Sequence, residues 1–312
     1  MSLRIILLIL MSLLIFPATA LSFQGYVQPF GRDAFIAWGN GEISVARMLE
    51  MAEDDSNEKM TPLAVRKATT QARKQMLDMV MSVRIDSKRT VNAFLSGDDE
   101  LAARVRGLIQ NSPFKRPSMF DEGGEIRVSE ALRGKLAELI LPTTIQFQSG
   151  IPPKLSTSME QSLSFSDKAP EAAGSGASGY TGLIIDARGL RVTPALAPVV
   201  YGQDGLGTYG AFLVSRASAI NYGVVAYANT SDPAALRERV GSRPLVVRAL
   251  NAYGSWRTDL IISSPMSKLV RAVMRPGDAV DKCRVVIVVD APEPFVDIEA
   301  GTSNEIQPDE EQ

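Results

Sequence analysis

Apolar positions along the chain follow two periods, and the alternation between them predicts the elements. Ala34-Phe35-Ile36-Ala37-Trp38 reads as a strand, Gly39-Asn40-Gly41 as a turn, and Glu42 to Ala46 as a second strand. Residues 50–60 are polar and acidic, hence a loop. Thr61-Pro62 has the form of an N-cap with proline at the first helical position. Beyond it Val65, Ala68, Ala72, Met76, Met79 and Val83 recur at steps of three and four. That spacing predicts a helix to about Met81 with these residues on one face. Arg66, Lys67, Arg73 and Lys74 fall mostly on the opposite, solvated face.

Val83 to Phe94 reads as a strand or strand pair. Gly97-Asp98-Asp99-Glu100 opens a second helix, its acidic residues suited to the positive end of the helix dipole. Leu101, Val105, Leu108 and Ile109 make its apolar face. Phe114 to Val128 predicts a hairpin closed by Glu122-Gly123-Gly124. Ser129 reads as the cap of a third helix carrying Leu132, Leu136, Leu139 and Ile140, ended by Pro142. The expected order is strand, helix, strand, helix, strand, helix.

After residue 148 the pattern changes. Residues 149–179 are rich in Ser, Pro, Gly and Ala, and too poor in large apolar groups to offset their ordering entropy. Strand-like runs then dominate: Tyr180–Ala187, Pro198–Tyr201, Thr208–Phe212, Val224–Tyr227, Leu245–Ala252, Asp259–Ser263 and Cys283–Asp290. Asp204-Gly205 is a hairpin-turn pair between two of them. Ser231-Asp232-Pro233 starts a short helix through Val240, and Ser264-Pro265 one to about Met274. A mixed sheet with helices on one side is expected. The tail from 293 ends in Asp309-Glu310-Glu311-Gln312 and reads as disordered.

The first twenty residues carry a different signal. Arg4 precedes the apolar run Ile5 to Phe16, and Ala18-Thr19-Ala20 fits the small-x-small cleavage rule. The run is short for a spanning helix of ~20 residues. The expected organisation is a signal peptide (1–20), a domain (21–148), a linker (149–179), a second sheet domain (180–292) and a tail (293–312). The fold class is α+β: two mixed α/β-sheet domains joined by a Ser/Pro/Gly-rich linker.

Composition narrows the chemistry. The 312 residues hold no histidine, one cysteine, 33 Lys+Arg and 35 Asp+Glu, a net charge of −2. Loss of Arg4 with the signal segment would take that to −3. Without histidine there is no Ser-His-Asp or Cys-His pair and no imidazole metal ligand. With one cysteine there is no internal disulfide and no cysteine zinc site. The slight acidity argues against a nucleic-acid binder. Cys283, opening the run Val285–Val289, reads as a buried structural thiol. It lies far from the cleavage point, so a lipoprotein signal is excluded.

Three motifs invite sharper readings. Gly205-Leu206-Gly207-Thr208-Tyr209-Gly210 matches G-x-G-x-x-G, with Asp232 downstream, but sits between two β-prone runs where the nucleotide fingerprint needs a helix. Ser112-Pro113-Phe114-Lys115 matches S-x-x-K without its supporting elements. Asp54-Asp55, Asp98-Asp99 and Glu310-Glu311 are carboxylate pairs; Asp98 and Asp99 are better explained as helix-cap residues. The aromatics Trp38, Tyr201, Tyr209, Tyr227, Tyr253 and Trp256 lie on strand patterns, where packing is the default and a contact face the alternative. No catalytic, cofactor or metal residue is therefore assigned.

Ala68-Thr69-Thr70-Gln71-Ala72-Arg73-Lys74-Gln75-Met76-Leu77, the following Val83-Arg84-Ile85-Asp86 and the segment at Asp98-Asp99-Glu100 resemble the N-terminal domain of FlgT-type flagellar periplasmic proteins and related small outer-membrane lipoproteins. Tyr180–Leu190, Pro194-Ala195-Leu196-Ala197-Pro198, Asp204-Gly205 and Arg284–Asp290 look like the carboxyl half found with that domain in uncharacterised exported bacterial proteins. The resemblance implies a non-enzymatic protein of the cell envelope, periplasmic or secreted or peripheral to the outer membrane. It implies a structural or assembly role, with flagellar basal-body or envelope proteins, or a second copy, as partners. The residues leave a ligand- or peptidoglycan-binding module open as the alternative, with a cleft between the domains as its site. Lipid anchoring does not carry over, because no cysteine stands at the cleavage point.

Overall fold

A computed structural model describes residue 23 and residues 25–49, 62–115, 124–155 and 179–292. The expected signal segment, the carboxylates at 54–55 and 310–311, Thr61, the expected turn at 122–123, most of the expected linker and the acidic tail lie outside these residues.

The first half is an antiparallel sheet backed by helices. Its strands are β1 (Val27–Pro29), β2 (Ala34–Ala37), β3 (Glu42–Met48), β4 (Phe114–Lys115) and β5 (Glu125–Ala131). They lie in the order β1-β2-β3-β5-β4. Alternation along β2, β3 and β5 turns Ile36, Ile43, Val45, Ile126 and Val128 inward, all fully buried. The long helix α1 (Pro62–Ser82) packs against β3 and β5. Ala68, Ala72, Met76, Met79 and Val83 are buried as the period of 3.6 requires. Helices α2 (Val91–Leu95), α3 (Asp99–Gln110) and α4 (Lys135–Ile140) complete this layer. Asp98 is the N-cap of α3, its carboxylate accepting from Leu101 N at 2.9 Å.

Three expectations for this half need correction. The strands are not interleaved singly with helices: three precede α1 and two follow α3. Val83–Phe94 holds only a bridge, Arg84 to Thr90, before α2. Thr90 captures Ala93 N with its hydroxyl, and that local cap outweighs the β preference of the run. Ser129 lies inside β5, paired with Ser44, and the third helix begins only at Lys135. The seven-residue pairing with β3 carries the chain past the serine that mimicked a cap.

The second half is a seven-stranded mixed sheet in the order β8-β7-β11-β10-β6-β12-β9. The strands are β6 (Gly182–Asp186), β7 (Val200–Gly202), β8 (Gly207–Tyr209), β9 (Ala226–Ala228), β10 (Pro244–Tyr253), β11 (Asp259–Ile262) and β12 (Val285–Val288). β6 lies parallel to both β10 and β12. The unbroken apolar runs Leu183–Ile185 and Val285–Val288 are buried on both faces, as central parallel strands must be. Two helices the pattern did not mark, α5 (Arg216–Tyr222) and α8 (Asp278–Asp281), join α6 (Arg237–Val240) and α7 (Ser264–Val273). They cover both faces, not one. Leu236 and Val240 pack with Ile184, Val286 and Val288. Val270 of α7 and Val280 of α8 join Leu183, Ile185 and Ile287 in the main core.

That main core is continuous through both halves. The entering chain runs along the otherwise open edge of β9: Gly25 bridges Ala228, and Tyr26 N donates to Tyr227 O at 2.7 Å. Trp38 meets Tyr227 edge to face, with centroids 5.5 Å apart. Gly25 and Gly39 touch there so closely that a Cβ on either would collide with the other's backbone. A second join carries Leu196 N to Arg84 O and Ala197 N to Ile85 O, at 3.0 and 2.8 Å. Residues 149–155, placed at the start of the linker by composition, pack on the second sheet. Gly207 N donates to Pro153 O and Leu155 N to Gly205 O, so this stretch borders the β7–β8 hairpin.

Candidate functional site: the cleft at Asp259

The seam between the halves opens into a cleft of about 330 Å³. Three segments build it. The turn Asp86–Arg89 comes from the first half, residues 145–153 form one wall, and the second half supplies Val199, Tyr201, Phe212 and Asp259. The turn is held by its own aspartate. Asp86 accepts from the backbone N–H groups of Lys88 and Arg89 at 2.9 Å, and from the Arg89 guanidinium at 2.8 Å. Arg89 also donates to the Thr144 hydroxyl at 3.0 Å.

Asp259 begins β11 and is 2% exposed. Val199 N donates to its carboxylate at 3.0 Å, and the Ser87 hydroxyl also bonds to it. Burial in this poorly hydrated place pushes its pKa up to about 6, and nearby Asp86 adds to the rise; the bonds from Val199 and Ser87 oppose it. Tyr201 lines the same cleft and packs edge to face on Tyr253, centroids 6.0 Å apart. Its phenol is pushed well up by burial, and further by Asp259; it stays protonated and keeps its donor. Ile145, Ile151, Pro153 and Phe212 supply apolar walls. Lys88 is exposed at the turn.

The groups present define what the cleft can do chemically. A buried carboxylate accepts hydrogen bonds from a ligand's hydroxyl, amide or amine, a phenol donates, and apolar walls take a sugar or alkyl face. Ser87 and Asp259 together do not make an acyl-transfer pair, since no histidine stands between them. Among the described residues no group of three His, Cys, Asp or Glu side chains is placed to hold a metal ion.

The motifs read from sequence lie elsewhere, apart from their edges. Gly205–Gly210 spans the β7–β8 hairpin: Val200 pairs with Tyr209 and Tyr201 with Gly207, and no helix opens there to cradle a phosphate. Asp232 turns back on its own chain, accepting from Ala234 N at 2.9 Å. Ser112 is buried beyond the end of α3 and donates to Glu130 at 2.7 Å, while Lys115 sits exposed in β4. Of the aromatics, Trp38, Tyr201, Tyr209 and Tyr227 are buried, and Arg84 covers the Trp256 ring at 3.4 Å. Cys283 is buried, its thiol pushed up to about 11 by that burial. The sequence pattern marks neither Asp259 nor Ser87 as a site residue, and Tyr201 only as a strand aromatic with a contact face as the alternative. The one local signal was a charged residue, Asp259, opening the apolar run Leu260-Ile261-Ile262.

Fold and site together define an α+β protein with two sheets on a common core and a cleft at their seam. Residues 182–291 match a family model described as Treponema pallidum Tp0624, second domain. The match begins at the first residue of β6 and takes in every strand of the second sheet. No curated protein matches the chain. Among the described residues no helix is long and apolar enough to cross a membrane.

Proposed function

We propose that this is a non-enzymatic binding protein of the bacterial cell envelope, and that the Asp259 cleft takes a ligand rich in hydroxyl and amide groups, of the kind peptidoglycan presents. The observation that carries the reading is a carboxylate buried at the seam, beside a protonated phenol and apolar walls. Such a constellation costs stability, and buried groups with shifted pKa values in a cleft cluster at functional sites. The leader-like segment at 1–20 supports export to the periplasm. The test is the melting temperature of the full chain with soluble peptidoglycan fragments, alongside co-sedimentation with insoluble cell wall. A saturable rise, absent in Asp259→Asn, is expected. A flat response in both assays overturns the reading.

A structural or assembly role at the flagellar base or outer membrane is the second reading. It is favoured by the resemblance of the α1 segment and by exposed apolar residues on one side of β10. Val246 and Leu250 are 48% and 38% exposed, with Arg248 between them. Loss of motility or of envelope integrity in a deletion strain supports it, and unchanged motility and envelope count against it.

A further inference from the structure

A second concavity, of about 390 Å³, is lined by four cations: Arg133, Arg239, Lys282 and Arg284. They come from separate parts of the chain. Arg133 lies between β5 and α4 in the first half, Arg239 in α6, and Lys282 and Arg284 flank Cys283 ahead of β12. Three carboxylates stand near them. Asp278 takes both Lys282 and Arg284, each at 2.7 Å, Asp281 is exposed beside Lys282 and its charge is felt at Cys283, and Glu238 lines the mouth, exposed.

The remaining two cations are held by the backbone. Arg133 donates to Gly39 O at 2.7 Å. Arg239 donates to Tyr222 O at 2.6 Å and to Gly223 O at 2.9 Å. These bonds fix both guanidinium planes without neutralising either. The Nε of Arg239 is buried and has no hydrogen-bond partner. Burial, and then the proximity of Arg239, lower the Arg133 pKa to about 10. Two partly buried like charges, with no paired carboxylate among the described residues, are unfavourable for folding. The neutral Cys283 thiol behind them does not compensate.

We propose that this cleft binds a phosphate monoester. With four cations against Asp278, Asp281 and Glu238, the local excess is about one positive charge, and it sits on Arg133 and Arg239, which no carboxylate among the described residues pairs. A phosphate monoester carries about −1.5 to −2 at pH 7, and offers three acceptor oxygens. Guanidinium forks match its geometry better than ammonium groups do. Anchoring by carbonyls removes much of the ordering cost of binding. Phe23 adds an apolar side chain to the lining. The site is separate from the Asp259 cleft and shares no lining residue with it.

The experiment is calorimetric titration of the full chain with inorganic phosphate and with glycerol 3-phosphate, in chloride buffers of matched ionic strength. Saturable one-to-one binding is expected for both. Arg239→Gln should weaken it at least tenfold. Glu238→Gln, at an exposed position, should strengthen it severalfold. Loss of fold cannot mimic that gain, so this variant decides the matter if Arg239→Gln fails to fold. No saturable heat with the wild-type protein, or equal affinity in wild type and Glu238→Gln, overturns the proposal.

Discussion

The two clefts lie on the same seam, yet they bury opposite charges by opposite means. At Asp259 the chain surrounds a carboxylate with a few donors and apolar walls, and the group responds by becoming easier to protonate. At Arg133 and Arg239 the chain cannot discharge the guanidinium groups, so it ties them to carbonyls and leaves their charge. The difference is chemical. A carboxylate near neutral pH can exchange its charge for a proton, whereas a guanidinium keeps its own. The first cleft suits a neutral, hydrogen-bonding ligand, the second an anion.

The comparison assumes that the seam is part of one core, and the largest expected effect tests that. Tyr227 joins the halves: its ring meets Trp38 and its carbonyl accepts from Tyr26 N at 2.7 Å, while its hydroxyl ties down Ala195 N and Ala195 O at 3.0 Å within the second half. Tyr227→Ala should cost about 3–5 kcal/mol and lower the unfolding of both halves together. Hydrogen exchange resolved by segment checks this. Destabilisation confined to 180–292 would separate the halves.

Next in size is the pH dependence set by Asp259. Its folded pKa, about 6, lies above an unfolded value near 3.9. The folded state therefore holds the proton more tightly. The contribution is fully present below about pH 4 and is lost as pH rises through 6, amounting to about 3 kcal/mol. Asp259→Asn should flatten this part of the stability profile, measured by urea unfolding at several pH values. Arg239→Gln follows, at about 2 kcal/mol for its two charge-assisted bonds, with no change in the pH profile between 4 and 7. The smallest effect on stability is that of Glu238→Gln, within about 0.5 kcal/mol. Thermal melts that show a larger loss would mean that Glu238 supports the fold.

What the sequence pattern conveyed about the fold depended on the range of the forces involved. The face of α1 was legible because Ala68, Ala72, Met76 and Met79 repeat every turn. The β7–β8 hairpin was legible because Asp204-Gly205 sets its own geometry. Where a local device and a pairing competed, the pattern misled in both directions. Thr90 won as a cap inside a β-rich run, and Ser129 lost as a cap to the ladder between β3 and β5. Residues 149–155 read as linker because the hairpin they border, through Gly205 and Gly207, lies fifty residues on. The site was less legible still. Asp259 matters because Val199 N, sixty residues earlier, and Ser87, in the other half, converge on it. Arg133 and Arg239 matter because, among the described residues, no carboxylate forms an ion pair with either and backbone carbonyls hold them. Neither fact is local to a stretch of sequence.

The central claim is that one seam carries two independent recognition sites of opposite chemistry. The direct measurement is a crossed titration: soluble peptidoglycan fragments and glycerol 3-phosphate, each against the wild-type chain, Asp259→Asn and Arg239→Gln. Each variant should lose affinity for one ligand and keep the other, Asp259→Asn for the fragments and Arg239→Gln for the phosphate. If either variant loses both ligands, or neither variant loses any, the claim fails.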